Sequence, residues 1–429
     1  MISPTVNVIG LGYIGLPTAI MLASHGISVV GTDSSRSLID ALSSGRLTIH
    51  EEGLDELFRQ AVSGSGLSFT TEYRAADVYI VCTATPHDED TKKADLSFVV
   101  SAVRSVLDVC GKGAIIVLES TVPPGTMDRH IRPLVSERGL KAGEDVHLVH
   151  APERVIPGNM IRELVNNPRT IGADDPAIGE RIKALYRSFS KGDIDVTDIR
   201  TAEMTKVVEN TYRDVNIAFA NELLKICRSD GLDVNEIIRI ANKHPRVNIL
   251  SPGPGVGGHC ICVDPWFLVG DYPELADLIR RARLINDSMP DYVLDRVNDL
   301  LQARGKGPDR VGLYGLTYKK DVDDVRNSPS LRLLERMRGP ESCSTESRGP
   351  ESCSTESRGP KSYDPRLARP IAEGQYTDFD RFLRDIDVLV IMVDHSHLKQ
   401  NAGRIRGKIV LDTRSCAIPW DPSNDVTLL

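Results

Sequence analysis

The most constraining feature of the sequence is a glycine-rich turn between an apolar run and a segment with helical spacing. The turn, GLGYIG (residues 10–15), follows the run VNVI directly and opens LPTAIMLASHG, and Asp33 closes the next apolar run, ISVVGTD. A strand, a glycine turn, a helix and a second strand ending in an acidic residue are typical of a dinucleotide-binding unit. The alternative is a glycine turn in another kind of α/β protein.

Each residue of this pattern has its own physical role. Gly10 permits the tight turn, Gly12 lets the backbone approach a pyrophosphate, and Gly15 allows close packing of helix on strand. The helix N-terminus supplies amide donors and the positive end of a dipole. Asp33 would bind the ribose 2′-hydroxyl and repel a 2′-phosphate. The pattern therefore predicts NAD, rather than NADP, as the cofactor.

The order of apolar segments predicts an α/β chain of three domains, since 429 residues are too many for one core. Short apolar runs alternate with amphipathic stretches over residues 1–198, which indicates a doubly wound parallel sheet. Residues 199–305 are almost entirely helical in pattern, and the alternation returns over residues 306–429. We therefore expect two Rossmann-like doubly wound domains joined by a central helical domain.

Composition narrows the setting of the protein. The net charge of −8 argues against nucleic acid as the main partner, and we find no apolar run long enough to predict a membrane span. Eight cysteines are scattered over the chain, unlike the dense disulfide framework of a small secreted domain. We expect a cytoplasmic protein with reduced thiols.

The central segment begins with a long continuous helical pattern, TAEMTKVVENTYRDVNIAFANELLKICRSDG (residues 201–231). A helix of this length often joins domains or forms a dimer interface. Lys206, Asn210 and Arg213 fall on one face of it at i, i+4 and i+7. They could stabilise a phosphate or an oxyanion and orient a water molecule or hydroxyl. A solvated helix face explains the same spacing equally well.

The segment GPGVGGHCICVDP (residues 253–265) has the highest density of chemically special residues. Its glycines permit a backbone that approaches a ligand closely, and Cys260 could be activated there as a nucleophile. A metal site of His259, Cys260, Cys262 and Asp264 is a weaker alternative, because no second Cys/His pair with zinc-like spacing stands out. The third alternative is a cysteine that is simply buried.

Taken together, an NAD domain, a lysine and a reactive cysteine suggest an alcohol that is oxidised twice. The first oxidation gives an aldehyde, which a cysteine can trap as a thiohemiacetal. A second hydride transfer gives a thioester, and water releases the acid.

At this point the sequence resembles a known family, the nucleotide-sugar 6-dehydrogenases of the UDP-glucose and UDP-N-acetylmannosamine group. The resemblance covers nearly the whole chain and includes GLGYIGLP, ESTVPPGT, APERVIPG, EMTKVVENTYRDVNIAFANEL, HPRVNILSPGPGVGGHCICVDPWFL and GLTYKKDVDDVRNSPS. It implies oxidation of a UDP-sugar at C6 to a carboxylate with reduction of two NAD⁺. The HPRVN-to-VDPWF stretch is most similar to the branch that oxidises UDP-N-acetyl-D-mannosamine. His259 supports this branch, because the UDP-glucose enzymes more often have tyrosine there.

The resemblance also implies roles for individual residues. Cys260 is implied as the nucleophile and Lys206 as an acid/base or oxyanion-stabilising group. Asn210 and Asp264 are implied to hold a water molecule or the C6 oxygen, and Glu153 to assist oxidation or thioester hydrolysis. Cofactor contacts are implied for Gly10, Gly12, Tyr13, Ile14, Gly15, Asp33, Thr85, Thr121 and Arg326. Substrate contacts are implied for Arg154, Val155, Lys206, Asn210, Arg213, His244, Arg246, Gly257, Tyr318, Lys319 and Arg414.

Three further expectations follow from the resemblance. Arg246 would reach a neighbouring subunit's site, which implies a homodimer or higher homo-oligomer. The same chemistry on UDP-glucose or UDP-N-acetylglucosamine is the nearest alternative, and a catalytically inactive NAD-binding sensor or scaffold is the non-enzyme alternative. The sequence departs from the family where the ten-residue repeat GPESCSTESR (residues 339–348 and 349–358) replaces a strand before YDP. Either that strand is shortened to residues around Ser362 and Tyr363, or the repeat lies in a loop before it.

Overall fold

Each of two units of the chain is built on its own β-sheet. The structure is a computed structural model that describes residues 4–49, 51–64, 66–88, 90–339 and 359–429. The first unit contains Met1–Glu209 and Trp266–Pro273, and the second contains Asn210–Pro265 and Glu274–Leu429.

The first unit contains an eight-stranded sheet with the order β3-β2-β1-β4-β5-β6-β7-β8. Its strands are β1 (Thr5–Ile9), β2 (Ser28–Thr32), β3 (Leu67–Thr70), β4 (Val78–Val81), β5 (Ala114–Leu118), β6 (Val146–His150), β7 (Arg169–Ala173) and β8 (Ile194–Thr197). In the central register, Val6 of β1 lies between Val29 of β2 and Val78 of β4. The order from β3 to β6 is that of a doubly wound dinucleotide-binding sheet.

Helices connect these strands. They are α1 (Gly15–Ser24), α2 (Arg36–Ser43), α3 (Leu54–Ser63), α4 (Ser97–Val109), α5 (Arg132–Glu137), α6 (Met160–Asn166) and α7 (Pro176–Tyr186), with a π-helical turn at Met127–Ile131. Local sequence sets where several of them begin: the side chain of Ser35 caps α2, and that of Asp175 caps α7 ahead of a proline.

Alternating side chains of the first sheet enter two separate hydrophobic cores. In β4, Val78 and Ile80 belong to one core, whereas Tyr79 and Val81 belong to the other. Successive residues of a strand point to opposite faces, so a strand that is apolar throughout must be covered on both. This explains why β4 and β5 are buried along their whole length.

The second unit contains a six-stranded sheet with the order β11-β10-β9-β12-β13-β14. Its strands are β9 (Val311–Tyr314), β10 (Lys361–Tyr363), β11 (Gln375–Tyr376), β12 (Val388–Ile391), β13 (Ile409–Asp412) and β14 (Asp425–Leu428). All of their pairings are parallel, and Leu313 lies between Ser362 and Val390. Numbered from β9, this is again the doubly wound order.

The remaining helices are mostly in the second unit. They are α8 (Ile199–Ser229), α9 (Val234–Ala241), α10 (Asp264–Asp271), α11 (Asp277–Asp287), α12 (Met289–Arg304), α13 (Pro329–Arg338), α14 (Phe379–Arg384) and α15 (Ser396–Gln400), with 3₁₀ turns at Pro308–Arg310 and Ala402–Arg404. Helices α8 and α10 each run from one unit into the other. Residues of α8, α9 and α12 share a hydrophobic core with Val311, Leu313 and Val388 of the second sheet.

The structure confirms the predicted fold class and the long helix, with one difference in strand direction. The pairing of β6 with β7 is antiparallel, through Val149 with Ala173 and His150 with Gly172. The strand before YDP is β10, which has three residues, as the first of the two alternatives proposed. Apart from Gly339, the repeat at residues 339–358 lies outside the described residues. Within the described part of the chain, no helix combines the length and apolarity needed to cross a membrane.

Candidate active site

The glycine turn of residues 10–15 lies at the carboxyl end of β1, in the middle of the first sheet. Gly10 has a φ of +87°, and a Cβ atom on it would lie 2.8 Å from the Cys82 carbonyl oxygen. A Cβ atom on Gly15 would lie 1.9 Å from the Gly10 carbonyl oxygen, whereas one on Gly12 would have no atom within 4 Å. Protein atoms therefore leave no room for a side chain at Gly10 or Gly15. The space beside Gly12, where the sequence predicts a pyrophosphate, contains no protein atom.

Asp33 and two threonines complete this edge of the sheet. Asp33 accepts hydrogen bonds from the backbone nitrogens of Leu11 (2.8 Å) and Ser35 (2.9 Å), which fixes its carboxylate beside the turn. The Thr85 hydroxyl, beyond β4, donates to the Thr121 carbonyl oxygen, beyond β5, at 2.8 Å. All of these residues follow the carboxyl ends of adjacent parallel strands, where such sheets bind ligands. The residues present therefore fit a dinucleotide, with Tyr13 and Ile14 half-buried at the start of α1.

Glu153 forms an ion pair with Arg169, whose side chain is only 4% exposed. Arg169 also pairs with Glu119, with 3.4 Å between Nη1 and Oε1. Glu119 accepts further hydrogen bonds from the Tyr186 hydroxyl (3.1 Å) and the Cys82 thiol (3.0 Å). Burial raises the pKa of Glu119 to about 7, although Arg169 opposes that rise. Glu153 is thus anchored in a buried cluster that contains a second carboxyl group.

Arg154, the next residue, is held on several sides. Its Nε lies 2.7 Å from Glu209 Oε2, its Nη2 donates to the Thr170 hydroxyl at 2.9 Å, and its Nη1 donates to the Pro168 carbonyl oxygen at 2.5 Å. Val155 packs against the core of the first sheet. The APERV segment is therefore fixed relative to β7 and to the first turns of α8.

The predicted polar residues of α8 differ in exposure. Lys206 and Asn210 are 7% and 6% exposed, whereas Arg213 is exposed. In the same helix, Glu203 accepts hydrogen bonds from the backbone nitrogens of Gly125 (2.5 Å) and Met127 (2.9 Å). These donors follow Thr121, so Glu203 fixes the turn that extends from a predicted cofactor contact.

In the second unit, the structure brings Asn210 and Asp264 together beside the Cys260 backbone. Asn210 Nδ2 lies 2.6 Å from Asp264 Oδ2, and both residues are buried. The Asp264 backbone nitrogen donates to the Cys260 carbonyl oxygen at 2.9 Å, where α10 begins. Cys260 itself is exposed. An accessible thiol therefore lies within one turn of a buried amide–carboxylate pair.

The glycine residues before Cys260 pack against Tyr318. Cβ atoms on Gly257 and Gly258 would each lie 2.8 Å from atoms of the Tyr318 side chain, and Gly258 has a φ of +91°. Burial raises the pKa of the Tyr318 hydroxyl above its ordinary value. Lys319 follows it in a half-buried position. These two glycines thus leave room for the Tyr318 side chain, while the predicted approach to a ligand stays a prediction.

Cys262 differs sharply from Cys260. It is 5% exposed, its thiol donates to the Gly258 carbonyl oxygen at 3.0 Å, and burial raises its pKa to about 12. A thiol held in the protonated form is a poor nucleophile and a poor metal ligand. His259 is half-buried, and among the described residues no group of three or more His, Cys, Asp or Glu side chains could hold a metal ion.

The other predicted cofactor and substrate residues of the second unit are charged. Arg326 pairs with Asp324, with 2.6 Å between Nη2 and Oδ2. Arg414 Nε donates to the Met392 carbonyl oxygen at 2.8 Å, and its Nη1 lies 3.0 Å from where a Cβ on Gly253 would be.

His244 and Arg246 are both exposed, in the segment that follows α9. The backbone nitrogen of Arg246 donates to His244 Nδ1 at 3.3 Å. Arg246 is thus a surface residue, and its contribution to a neighbouring subunit stays a prediction.

Three family models match the chain in succession. All are described as the UDP-glucose/GDP-mannose dehydrogenase family: the NAD binding domain at residues 4–190, the central domain at 200–288 and the UDP binding domain at 312–419. The chain belongs to this family. It is therefore an NAD-dependent nucleotide-sugar dehydrogenase, an oxidoreductase whose family acts through a catalytic cysteine.

Relatives of similar length support this membership. The chain is 42% identical to an NDP-N-acetyl-D-galactosaminuronic acid dehydrogenase of Ralstonia nicotianae, covering 96% of this chain and 95% of the relative. It is 41% identical to a UDP-N-acetyl-D-mannosamine dehydrogenase of Yersinia pestis, covering 96% and 98%. A solved structure of a UDP-D-ManNAc dehydrogenase from Pyrococcus horikoshii matches with a TM-score of 0.88 and 36% identity over 99% of this chain and 98% of that chain.

Sequence reasoning missed the residues that support the predicted ones. Glu119, Arg169 and Glu203 contact the predicted catalytic or cofactor segments from positions far along the chain. The one available signal was charge inside otherwise apolar segments: Glu119 directly follows β5, and Arg169 opens β7. A charge in such a position has to be paired, but the sequence does not name its partner.

Proposed function

We propose that this enzyme oxidises UDP-N-acetyl-D-mannosamine at C6 to UDP-N-acetyl-D-mannosaminuronate, a four-electron oxidation through a covalent Cys260 adduct. The observation that carries the proposal is the exposed Cys260 thiol beside the buried Asn210–Asp264 pair. A thiol at this position can reach a ligand, while the amide and carboxylate can orient a water molecule or an oxygen of that ligand.

The reaction has three stages at the C6 carbon. Lys206 or a water molecule takes the hydroxyl proton as the alcohol becomes an aldehyde. The Cys260 sulfur adds to the aldehyde to give a thiohemiacetal, whose oxidation gives a thioester. Water, held by Asn210 and Asp264 with assistance from Glu153, releases the acid and regenerates the thiol. NAD⁺, when bound, accepts one hydride in each of the two oxidations, so two are reduced per sugar.

We propose the division of labour along the chain that the sequence suggests. Residues 1–198 hold NAD through Gly10, Gly12, Gly15 and Asp33, with Tyr13, Ile14, Thr85 and Thr121; Arg326 adds a contact. Residues 199–305 carry the chemistry, and residues 306–429 bind the UDP group. Substrate contacts come from Arg154, Val155, Lys206, Asn210, Arg213, His244, Arg246, Gly257, Tyr318, Lys319 and Arg414. In support, the matched family models begin and end near these divisions.

The decisive experiment compares Cys260→Ser with the wild type. The variant should form no UDP-linked uronic acid, because a serine hydroxyl is a far weaker nucleophile than a thiolate. Acid production at the wild-type rate would show that the covalent mechanism is wrong. NAD binding with no NADH formation on any UDP-sugar would instead identify an inactive sensor or scaffold.

A second candidate substrate is UDP-N-acetylgalactosamine, because a relative named for N-acetylgalactosaminuronic acid is 42% identical. A panel of UDP-N-acetylmannosamine, UDP-N-acetylgalactosamine, UDP-N-acetylglucosamine and UDP-glucose, followed by NADH absorbance, separates these sugars by kcat/KM. We expect the highest value for UDP-N-acetylmannosamine.

We also propose that the enzyme is a homodimer that pairs through the second-unit part of α8. Tyr212, Phe219 and Ile226 are 66%, 55% and 54% exposed and recur every seven residues, so they form one apolar stripe along the helix. Phe219→Asp should convert the dimer to a monomer in light scattering. Because Arg246 is proposed to act in the partner's site, mixing Arg246→Ala with Cys260→Ser subunits should restore part of the activity that neither variant has alone.

We propose a cytoplasmic location for the enzyme. The support is chemical: among the described residues, Cys82, Cys110, Cys227, Cys262 and Cys416 are not in disulfides, which suits a reducing compartment. Cell fractionation with an antibody against the chain tests it.

A further inference from the structure

A chain of buried polar side chains leads from α11 to the start of the glycine loop, which we define as residues 253–258. Arg283 Nη1 donates to Asp214 Oδ1 at 2.5 Å, and Asn286 Nδ2 donates to the same oxygen at 2.8 Å. Asn221 Nδ2 donates to Asn286 Oδ1 at 2.8 Å, and Asn221 Oδ1 accepts from the Gly253 backbone nitrogen at 2.9 Å. These four side chains are at most 1% exposed. The glycine loop is thus tied to the interior by an unbroken series of hydrogen bonds.

The series has a fixed direction. The Arg283 cation keeps Asp214 as an acceptor, so Asn286 must turn its NH₂ group toward Asp214 and its oxygen toward Asn221. Asn221 must then turn its NH₂ group toward Asn286, which leaves its oxygen for Gly253. A distant ion pair therefore determines which way the Asn221 amide points.

Stability alone does not explain this arrangement. Well-packed apolar side chains of similar size often stabilise an interior as well as buried charges do. Hydrogen bonds add direction, because each donor must meet its acceptor at a set distance and angle. Such a series is therefore suited to fixing the position of one backbone group, here the Gly253 amide.

The other end of the glycine loop is fixed as well. The Gly258 backbone nitrogen donates to the Arg326 carbonyl oxygen at 2.9 Å, and its own carbonyl oxygen accepts from Asn327 Nδ2 at 2.9 Å. Between the ends, a Cβ atom on Gly255 would lie 3.1 Å from Pro329. With both ends held, the path of the loop to Cys260, which lies two residues beyond Gly258, is restricted.

We propose that Asn221 is a positioning residue for the reaction: through the Gly253 amide it sets the path of the glycine loop and hence the placement of Cys260. Asn286 and Asp214 act through Asn221. The proposal rests on the proposed function in one respect, that Cys260 is the nucleophile. The proposal gives Asn221 no contact with substrate or cofactor. It therefore predicts changes in the order of the loop and in the reactivity of the Cys260 thiol, as well as in the rate.

The test compares Asn221→Ala with Asn216→Ala, a matched control on the same helix. Asn216 donates to the Tyr212 carbonyl oxygen of its own helix and lies outside the buried series. In Asn221→Ala, kcat/KM for the UDP-sugar should fall about tenfold, the effect of losing one neutral hydrogen bond. The alkylation rate of Cys260 by iodoacetamide, measured by mass spectrometry of its peptide, should change, and the residues of the glycine loop should exchange amide hydrogens faster. Asn216→Ala should match the wild type in all three.

One further measurement keeps the outcomes separate. In the wild-type protein, the Gly253 amide should exchange much more slowly than the amides of Gly255 and Val256; equal exchange would overturn the proposal even if Asn221→Ala does not fold. Unchanged kcat/KM, alkylation and exchange in a folded Asn221→Ala variant would overturn it too. If the wild-type enzyme oxidises no UDP-sugar, the proposed function fails, while exchange and alkylation still decide whether Asn221 positions the loop.

Discussion

Replacing Gly258 with alanine tests how tightly the glycine loop packs against Tyr318. Gly258 has a φ of +91°, and an L-residue there costs about 1–2 kcal/mol in backbone energy. The new Cβ atom would lie 2.8 Å from Tyr318 Cε2 and 3.1 Å from Cδ2, so the ring or the loop has to move. Overpacking of this kind costs about 1–3 kcal/mol. We therefore expect the free energy of unfolding to fall by about 2–5 kcal/mol.

Two comparisons separate the backbone cost from the steric cost. Gly26 has a similar φ of +86° but no atom within 4 Å of a Cβ, so Gly26→Ala should cost only the backbone share, about 1–2 kcal/mol. In a Tyr318→Ala background the ring is gone, and Gly258→Ala should cost about 1–3 kcal/mol less than it does in the wild type. Urea unfolding followed by circular dichroism gives all of these differences.

The same substitution should weaken substrate binding, because Tyr318 is a proposed substrate contact. Calorimetric titration with UDP should show a lower affinity in the variant. Each 1.4 kcal/mol of binding free energy lost through displacement of the ring lowers the affinity about tenfold. If Gly258→Ala costs the same with and without the Tyr318 ring, or no more than Gly26→Ala, then contact with Tyr318 does not fix this loop.

Three other predictions concern the first unit. Gly15→Ala places a Cβ atom 1.9 Å from the Gly10 oxygen and should abolish NAD binding together with the local fold. In Gly12→Ala the new Cβ atom meets no protein atom, so NAD binding should weaken without a lower melting temperature. Calorimetry measures the binding, and thermal unfolding measures the melting temperature. Asp33→Ser removes the charge expected to repel a 2′-phosphate and should narrow the preference for NAD over NADP in steady-state kinetics. Burial raises the pKa of Glu119 from 4.5 to about 7, so its contribution to stability is fully present below pH 4.5 and is lost as the pH rises through 7. Between pH 4.5 and 7, the free energy of unfolding of the wild type should therefore fall by about 3 kcal/mol more than that of Glu119→Gln. Urea titrations at several pH values measure both.

The sequence was most informative where a local pattern determines a local structure. The turn at Gly10, the helix that begins at Gly15 and the long helix α8 were predictable, because glycine permissiveness and apolar periodicity act over a few residues. The antiparallel pairing of β6 with β7 was not. A buried apolar run predicts a strand, but strand direction depends on how the chain returns to the sheet.

Exposure along α8 shows a second limit of the sequence. The helix is rich in apolar residues, yet Tyr212 and Phe219 are more than half exposed. Apolar side chains that face the core of a subunit and those that face another subunit have the same chemistry. The pattern therefore locates apolar surface without naming what covers it.

The residues that support the predicted site could not be identified from the sequence, for a different reason. Asn221 and Asn286 are 65 positions apart, and Glu119 and Arg169 are 50 positions apart. Nothing in the local sequence marks such residues as partners, because the fold alone brings them together. The resemblance to a family supplied the candidate catalytic residues but none of these partners.

The two buried networks, the Glu119–Arg169–Glu153 cluster and the Asn221 series, meet different physical requirements. Arg169 has two carboxyl groups within reach, and an arginine between two buried carboxylates would leave one excess negative charge. Burial raises the pKa of Glu119 and so favours its neutral form, which reduces the excess negative charge beside Arg169. The Asn221 series contains a charged pair at one end only and transmits direction through neutral amides to a backbone group. A carboxylate proposed to assist the reaction, here Glu153, needs a defined charge balance, whereas a loop needs a defined position, and each network suits the group that it holds.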